Sequence, residues 1–220
     1  MFVKKSPVLE NFFEDHGDEL IYKKGEPIAW AKDKSEWVYF LVKGYARFCF
    51  SPPNGTGRTI AFAAPGFVFA QVGSFFNEND GQTSFFAATD ALVYRVPRKL
   101  FLSAIADDRD MGIAYRELLS RYQILFVERI VYSGESGLYM KCLRWLMFMH
   151  KHYGEKNGKY FTIPIPLTQE TIADFLHTTR ESVNVILKEL KKKKLIAIEK
   201  KELTILDLEK IQKLAATNKP

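Results

Sequence analysis

The chain has 220 residues, 47% hydrophobic and 26% charged, a composition that suits two modest globular domains. No stretch approaches the roughly eighteen apolar residues of a membrane span, and the start, MFVKKSPVLENFF, lacks the apolar core of a secretory signal, so a cytoplasmic location is expected. The net charge of +6 is unevenly held: residues 1–136 carry 16 Lys+Arg against 17 Asp+Glu (net −1), and residues 137–220 carry 16 against 9 (net +7).

Residues 6–20 read as a short amphipathic helix (Val8, Leu9, Phe12, Phe13) that ends near Gly17. From about 20 to 100, short aromatic and β-branched runs alternate with polar residues and are punctuated by Gly, Pro, Asn and Asp. Seven or eight antiparallel strands fit that spacing. From Asp107 the period changes. Residues 107–133 contain no proline, and Asp107, Asp108 and Asp110 load the start of a long helix with the negative charge its dipole favours. Met111, Leu118, Leu125 and Tyr132 recur every seven residues, with Ile124, Val127, Ile130 and Val131 as a second apolar stripe. A helix apolar on two faces needs two partners, and the heptad series is read as the seam with a second copy of the chain.

KCLRWLMFMHKHYG predicts another helix closed by Gly154, followed by a loop EKNGK. In YFTIPIPL, Pro164 and Pro166 forbid a helix and leave an edge strand or extended linker. Thr168 is a natural N-cap for a short helix over 169–176 whose inward face is Ile172, Ala173 and Leu176. His177-Thr178-Thr179 breaks the pattern. A longer helix comes next, with Val183, Ile186, Leu187 and Leu190 inward and Arg180, Glu181, Asn184 and Lys188 outward. Two helices joined by so tight a turn form a helix-turn-helix, whose second helix presents its N-terminal side chains to the major groove. Lys191 to Lys194 end that helix. Residues 195–198 and 203–206 flank Glu199-Lys-Lys-Glu202 as a hairpin with a basic tip, and Asp207 caps a last helix.

These features resemble the Crp–Fnr family of bacterial transcription regulators over nearly the whole chain. The resemblance is carried by Leu167-Thr-Gln-Glu-Thr-Ile-Ala, Thr179-Arg-Glu-Ser-Val, Leu187-Lys-x-Leu and Leu195-Ile. Lys24-Gly25-Glu26-Pro27-Ile28, Tyr39-Phe40-Leu41-Val42-Lys43-Gly44 and Pro65-Gly66-Phe67 carry it in the N-terminal part. It implies an α+β protein: an antiparallel, jelly-roll-like β-roll sensor (1–106), a long dimerisation helix (107–136) and a winged helix-turn-helix (137–220). It also implies a homodimer on a palindromic duplex, control by a small effector, and RNA polymerase as a partner. Within that frame Arg180, Glu181 and Asn184 are base-contact candidates, Arg180 donating to guanine and Glu181 accepting from cytosine. Thr168, Gln169, Thr179, Lys188, Lys193 and Lys201 are phosphate-contact candidates.

Each assignment has a structural competitor. Thr178-x-x-Glu181 has capping-box spacing, which would employ Glu181 within its own helix. His177 stands where many relatives carry glycine, and histidine tolerates the left-handed backbone such a turn demands. Val185 replaces a basic residue of the family pattern and at best touches a thymine methyl.

Cyclic-nucleotide binders of this family use Gly-Glu for the ribose and Arg-Ser or Arg-Thr for the cyclic phosphate. Here Ala70-Gln71 and Gln82-Thr83 fall at those places, and no arginine lies between Arg58 and Arg95. Cyclic nucleotide binding is therefore not expected. Cys49 and Cys142 are too few for an iron–sulfur cluster, and His16 is the only histidine before His150, which argues against haem. Phe69, Gln71, Phe75, Gln82, Thr83, Phe85, Tyr122 and Phe126 remain as an uncharged, aromatic effector pocket for a small organic molecule, with core packing as the competing account of the aromatics. No nucleophile elbow, P-loop or metal-ligand spacing indicates an enzyme. A β-roll that binds proteins and has no DNA role is the alternative, and the basic C-terminal third argues against it.

Overall fold

A computed structural model describes residues 6–30, 36–51, 57–70, 83–134, 137–199 and 202–216. These fall into two compact units that divide between Arg121 and Tyr122.

The N-terminal unit opens with α1 (Pro7–His16), where Ser6 caps the Leu9 amide and Pro7 supplies a preset φ at the first helical position. Eight strands come after it: β1 (Asp18–Tyr22), β2 (Pro27–Ala29), β3 (Trp37–Lys43), β4 (Ala46–Phe50), β5 (Arg58–Ala63), β6 (Val68–Phe69), β7 (Thr83–Ala87) and β8 (Ala91–Pro97). They form two antiparallel sheets, ordered β1-β8-β3-β6 and β2-β7-β4-β5. Gly25, Gly44 and Gly66 all adopt positive φ, so the three segments expected to turn do turn on glycine. Gly44 admits no substitute, because a Cβ would lie 2.3 Å from the Asp90 carbonyl oxygen.

A separate helix, α2 (Arg98–Asp107), precedes α3 (Arg109–Ser133); the change of period at Asp107 marks the start of α3, but no sequence signal announces a helix before it. Asp108 interrupts the two, and its carboxylate accepts from the Asp110 and Met111 amides at 2.8 and 3.0 Å. An aromatic cluster joins the elements of this unit. Phe13 stacks on Phe40 at 5.2 Å, and Phe101 lies 5.8 Å from Phe13 and 5.1 Å from Tyr115. Burying each such ring contributes about 1.5–3 kcal/mol.

The C-terminal unit holds the end of α3 and α4 (Leu138–Tyr153), β9 (Glu155–Asn157), β10 (Tyr160–Ile163), α5 (Gln169–Leu176), α6 (Arg180–Lys192), β11 (Ile196–Glu199), β12 (Glu202–Ile205) and α7 (Leu208–Ala216). Glu155–Asn157 is a strand, where a loop was expected. β10 is interior to a four-stranded sheet ordered β11-β12-β10-β9 and is not an edge. Pro164 and Pro166 lie just beyond the strand, so neither is asked for a ladder hydrogen bond. α3 is tied to α4 through Glu128, which accepts from Lys151 and, at 2.7 Å, from His152 Nε2. Burial works against the Glu128 charge, but the hydrogen bonds from Lys151 and His152 hold its carboxyl below the ordinary range. Burial lowers the pKa of His152, so it donates as a neutral imidazole.

The seam expected on α3 is corrected by burial. Met111, Leu118 and Leu125 are 3%, 4% and 1% exposed within the single chain, and the half-buried Tyr132 packs on Phe148 at 6.1 Å. Those side chains are already used. The second stripe is bare: Ile124, Val127, Ile130 and Val131 are 54%, 59%, 69% and 57% exposed.

Candidate nucleic-acid interface

α5 and α6 pack through Ile172, Ala173 and Leu176 against Val183, Ile186, Leu187 and Leu190, all buried. Alanine at 173 leaves room where the helices meet. Both helices end in the same way. The Thr178 amide donates to Ala173 and the His177 amide to Asp174, with His177 left-handed at φ 55. The Leu195 amide donates to Leu190 and the Lys194 amide to Lys191, with Lys194 at φ 57. These paired bonds are the Schellman arrangement, which prefers glycine at the left-handed residue. His177→Gly and Lys194→Gly should therefore each stabilise the fold by about 1 kcal/mol. Denaturant titration checks this, and an unchanged midpoint in both variants would show the strain is absent.

The turn fixes where α6 starts. Thr179 is its N-cap, accepting from the Ser182 amide at 3.2 Å, so Arg180 and Glu181 are the first two helical residues. Thr178 therefore lies one residue too early for a capping box, and Glu181 is left out of any cap. Arg180, Glu181 and Lys188 are exposed, as is Val185, while Asn184 is half-buried. Gln169, exposed at the start of α5, donates its amide to Asn184 Oδ1 at 3.1 Å. Fifteen residues separate this pair, and no sequence pattern announces it.

Thr168 caps α5, accepting from the Thr171 amide at 3.0 Å. Lys193, an exposed phosphate-contact candidate, already has partners within the unit. It donates to the Glu189 carboxylate at 2.6 Å and to the Tyr139 hydroxyl at 3.2 Å, and these two hydrogen bonds raise its pKa. Its ammonium is engaged within the unit. Lys201 lies outside the described residues. The wing strands β11 and β12 pair from Ile196↔Ile205 to Glu199↔Glu202, and Asp207 caps the Lys210 amide at 2.9 Å.

In the N-terminal unit the candidate effector pocket divides. Gln71, Phe75 and Gln82 lie outside the described residues. Phe69 and Phe85 are buried, 4.6 Å apart, with Phe69 stacked on Tyr39 and Phe85 on Phe48, so these two rings serve the core. Thr83 pairs with Phe50 in the ladder. Tyr122 is buried and Phe126 half-buried, both in the C-terminal unit. Ala70 holds φ 63, a left-handed backbone at the place where cyclic-nucleotide binders carry glycine. Cys49 and Cys142 are both buried, and burial pushes the Cys142 thiol up to about 12. No helix among the described residues is long and apolar enough to cross a membrane.

The model of the cyclic nucleotide-binding domain matches residues 19–108, and that of the Crp-like helix-turn-helix domain matches residues 141–214. A global nitrogen regulator of Synechococcus elongatus is 25% identical over 84% of this chain and 83% of its own length. The transcriptional activatory protein AadR of Rhodopseudomonas palustris is 26% identical over 93% of this chain and 84% of its own. Among solved structures, a CooA mutant from Carboxydothermus hydrogenoformans aligns with a TM-score of 0.77 at 17% identity, covering 97% of this chain and 96% of that one. A CRP-family regulator from Thermus thermophilus aligns with a TM-score of 0.74 at 21% identity, covering 90% and 97%.

Proposed function

Because the chain belongs to the Crp–Fnr family of transcription regulators, we propose that it binds duplex DNA sequence-specifically as a homodimer and regulates transcription under control of a small effector other than a cyclic nucleotide. The observation that carries this reading is the exposed Arg180-Glu181 pair at the N-terminal turn of α6, clear of any cap, in a region of net charge +7. Side chains so placed reach base edges when the helix enters the major groove. Arg180 donates to guanine O6 and N7, and Glu181 accepts from cytosine N4. Asn184, its Oδ1 held by Gln169, offers its amide hydrogens to a base acceptor. Thr168, Gln169, Thr179, Lys188 and Lys201 contact phosphates and set register.

The dimer forms through the bare stripe of α3. Ile124 and Val131 are seven residues apart, and Val127 stands three beyond the first and four before the second, the spacing of a two-stranded seam. In the sensor, the missing arginine between Arg58 and Arg95 removes the group that a cyclic phosphate requires, and an apolar organic effector is favoured instead. Regulation places the protein in the cytoplasm with RNA polymerase as a partner. Selection from random duplexes tests the reading. Enrichment of an inverted repeat is expected, with half-sites about one helical turn, roughly 34 Å, apart. Enriched sequences without inverted symmetry would refute the dimeric mode, and no enrichment would refute specific binding.

A further inference from the structure

Gln169 and Asn184 join the two helices of the helix-turn-helix at its outer face, the Gln169 Nε2 group donating to Asn184 Oδ1 at 3.1 Å. Asn184 lies one helical turn beyond Arg180 and Glu181 and one before Lys188, in the row of side chains that α6 presents outward. Gln169 stands on the other helix, as the first residue of α5.

A side-chain amide has opposite chemistry at its two ends: the oxygen accepts and the nitrogen donates. A free asparagine can turn either end to a base, or both to adenine. Asn184 has lost that choice. With Oδ1 turned to α5, Nδ2 at the other end of the planar amide is left for the groove. The orientation of Gln169 follows from its place in α5. Thr168 accepts from the Thr171 and Ile172 amides, whereas the Gln169 and Glu170 amides have no carbonyl of their own helix to reach. That positive terminus favours the Gln169 oxygen on its own side and the nitrogen toward α6.

We propose that Gln169 is a positioning residue that sets the hydrogen-bond polarity of Asn184, so that each half-site carries a keto base, guanine or thymine, where Asn184 reads. The inference rests on the DNA-binding reading above and adds a determinant of specificity that lies outside α6. Guanine O6 and thymine O4 accept from Nδ2, whereas the amino groups of adenine and cytosine meet it donor to donor. The second Nε2 hydrogen of Gln169 remains for a phosphate.

The test exchanges the polarity. In Gln169→Glu the carboxylate only accepts, so Asn184 must donate to it and turn Oδ1 to the groove, where the amino groups of adenine and cytosine match it. An acid in the first turn of α5 suits the helix dipole, so the fold is kept. Gln169→Ala removes the constraint altogether. Parent and both variants select from random duplexes, and anisotropy titrations then compare half-sites that differ at one pair. The parent should prefer keto over amino bases at one pair per half-site by about three- to tenfold. Gln169→Glu should reverse that preference, and Gln169→Ala should flatten it to within about twofold. Both variants should also lose affinity for all sequences alike, through the weakened phosphate contact. An unchanged preference in Gln169→Glu would overturn the inference, and so would a loss without reversal, which would make Gln169 a mere support for α6. An unselective parent would refute specific binding itself. A selective parent with an unresponsive variant would leave that binding standing and refute only the role of Gln169.

Discussion

Arg180→Ala should lower affinity for the preferred duplex by about 1–3 kcal/mol, roughly five- to 150-fold, and relax the preference at one G·C pair. Position is the reason. Thr179 ends the turn and caps the helix, so the Arg180 guanidinium leaves the first helical residue with no intrahelical duty. Its planar fork matches guanine O6 and N7, and alanine removes both donors at once. Glu181→Gln is the companion measurement. Since Glu181 stands outside the cap, the amide should cost the fold no more than the roughly 0.3–1 kcal/mol of a first-turn charge on the helix dipole, while altering discrimination at the paired cytosine. Anisotropy titrations on matched and single-mismatch duplexes decide the matter. An equal loss on both for Arg180→Ala would make it a phosphate contact.

A second large effect is expected on α3, where neighbouring positions should answer oppositely to the same change. Val127→Glu, at a position 59% exposed, should leave the folded chain intact and convert dimer to monomer. Losing the linked second half-site should then cost roughly 100- to 10,000-fold in affinity for an inverted repeat. Leu125→Glu, two residues away at 1% exposure, should instead unfold the protein, because an unpaired carboxylate enters the core. Sedimentation and circular dichroism on the two variants separate the outcomes. A dimeric Val127→Glu protein would remove the bare stripe from the interface.

The two-sided character of α3 was legible in the sequence, but the role of each side was not. Both stripes are apolar and both recur at helical spacing, so periodicity cannot say which one its own chain consumes. That depends on long-range partners such as Phe101 against Tyr115. The C-terminal elements were legible because their signals are local: Thr168 and Asp207 as caps, three- and four-residue apolar spacing, a hairpin about two lysines. One-residue errors survived even there. Thr178 and Thr179 are chemically equivalent caps, and the left-handed His177, invisible in composition, sets which of them starts α6. α2 escaped notice because Pro97 at its start offers no side-chain cap and Asp108 interrupts it for a single residue before α3. Gln169 with Asn184 and Tyr139 with Lys193 are tertiary pairs with no sequence signature.

The Lys193 clamp changes what the lysine run can be made to signify. DNA affinity falls with rising salt because each phosphate neutralised by a protein cation frees about one condensed counterion. A lysine whose charge is already met by Glu189 before DNA arrives has less to give to that exchange. Counting Lys191 to Lys194 as four ionic contacts would thus overstate the slope of affinity against salt. Lys191, Lys192 and Lys194 are exposed, while Lys193 also links Glu189 of α6 to Tyr139 at the start of α4.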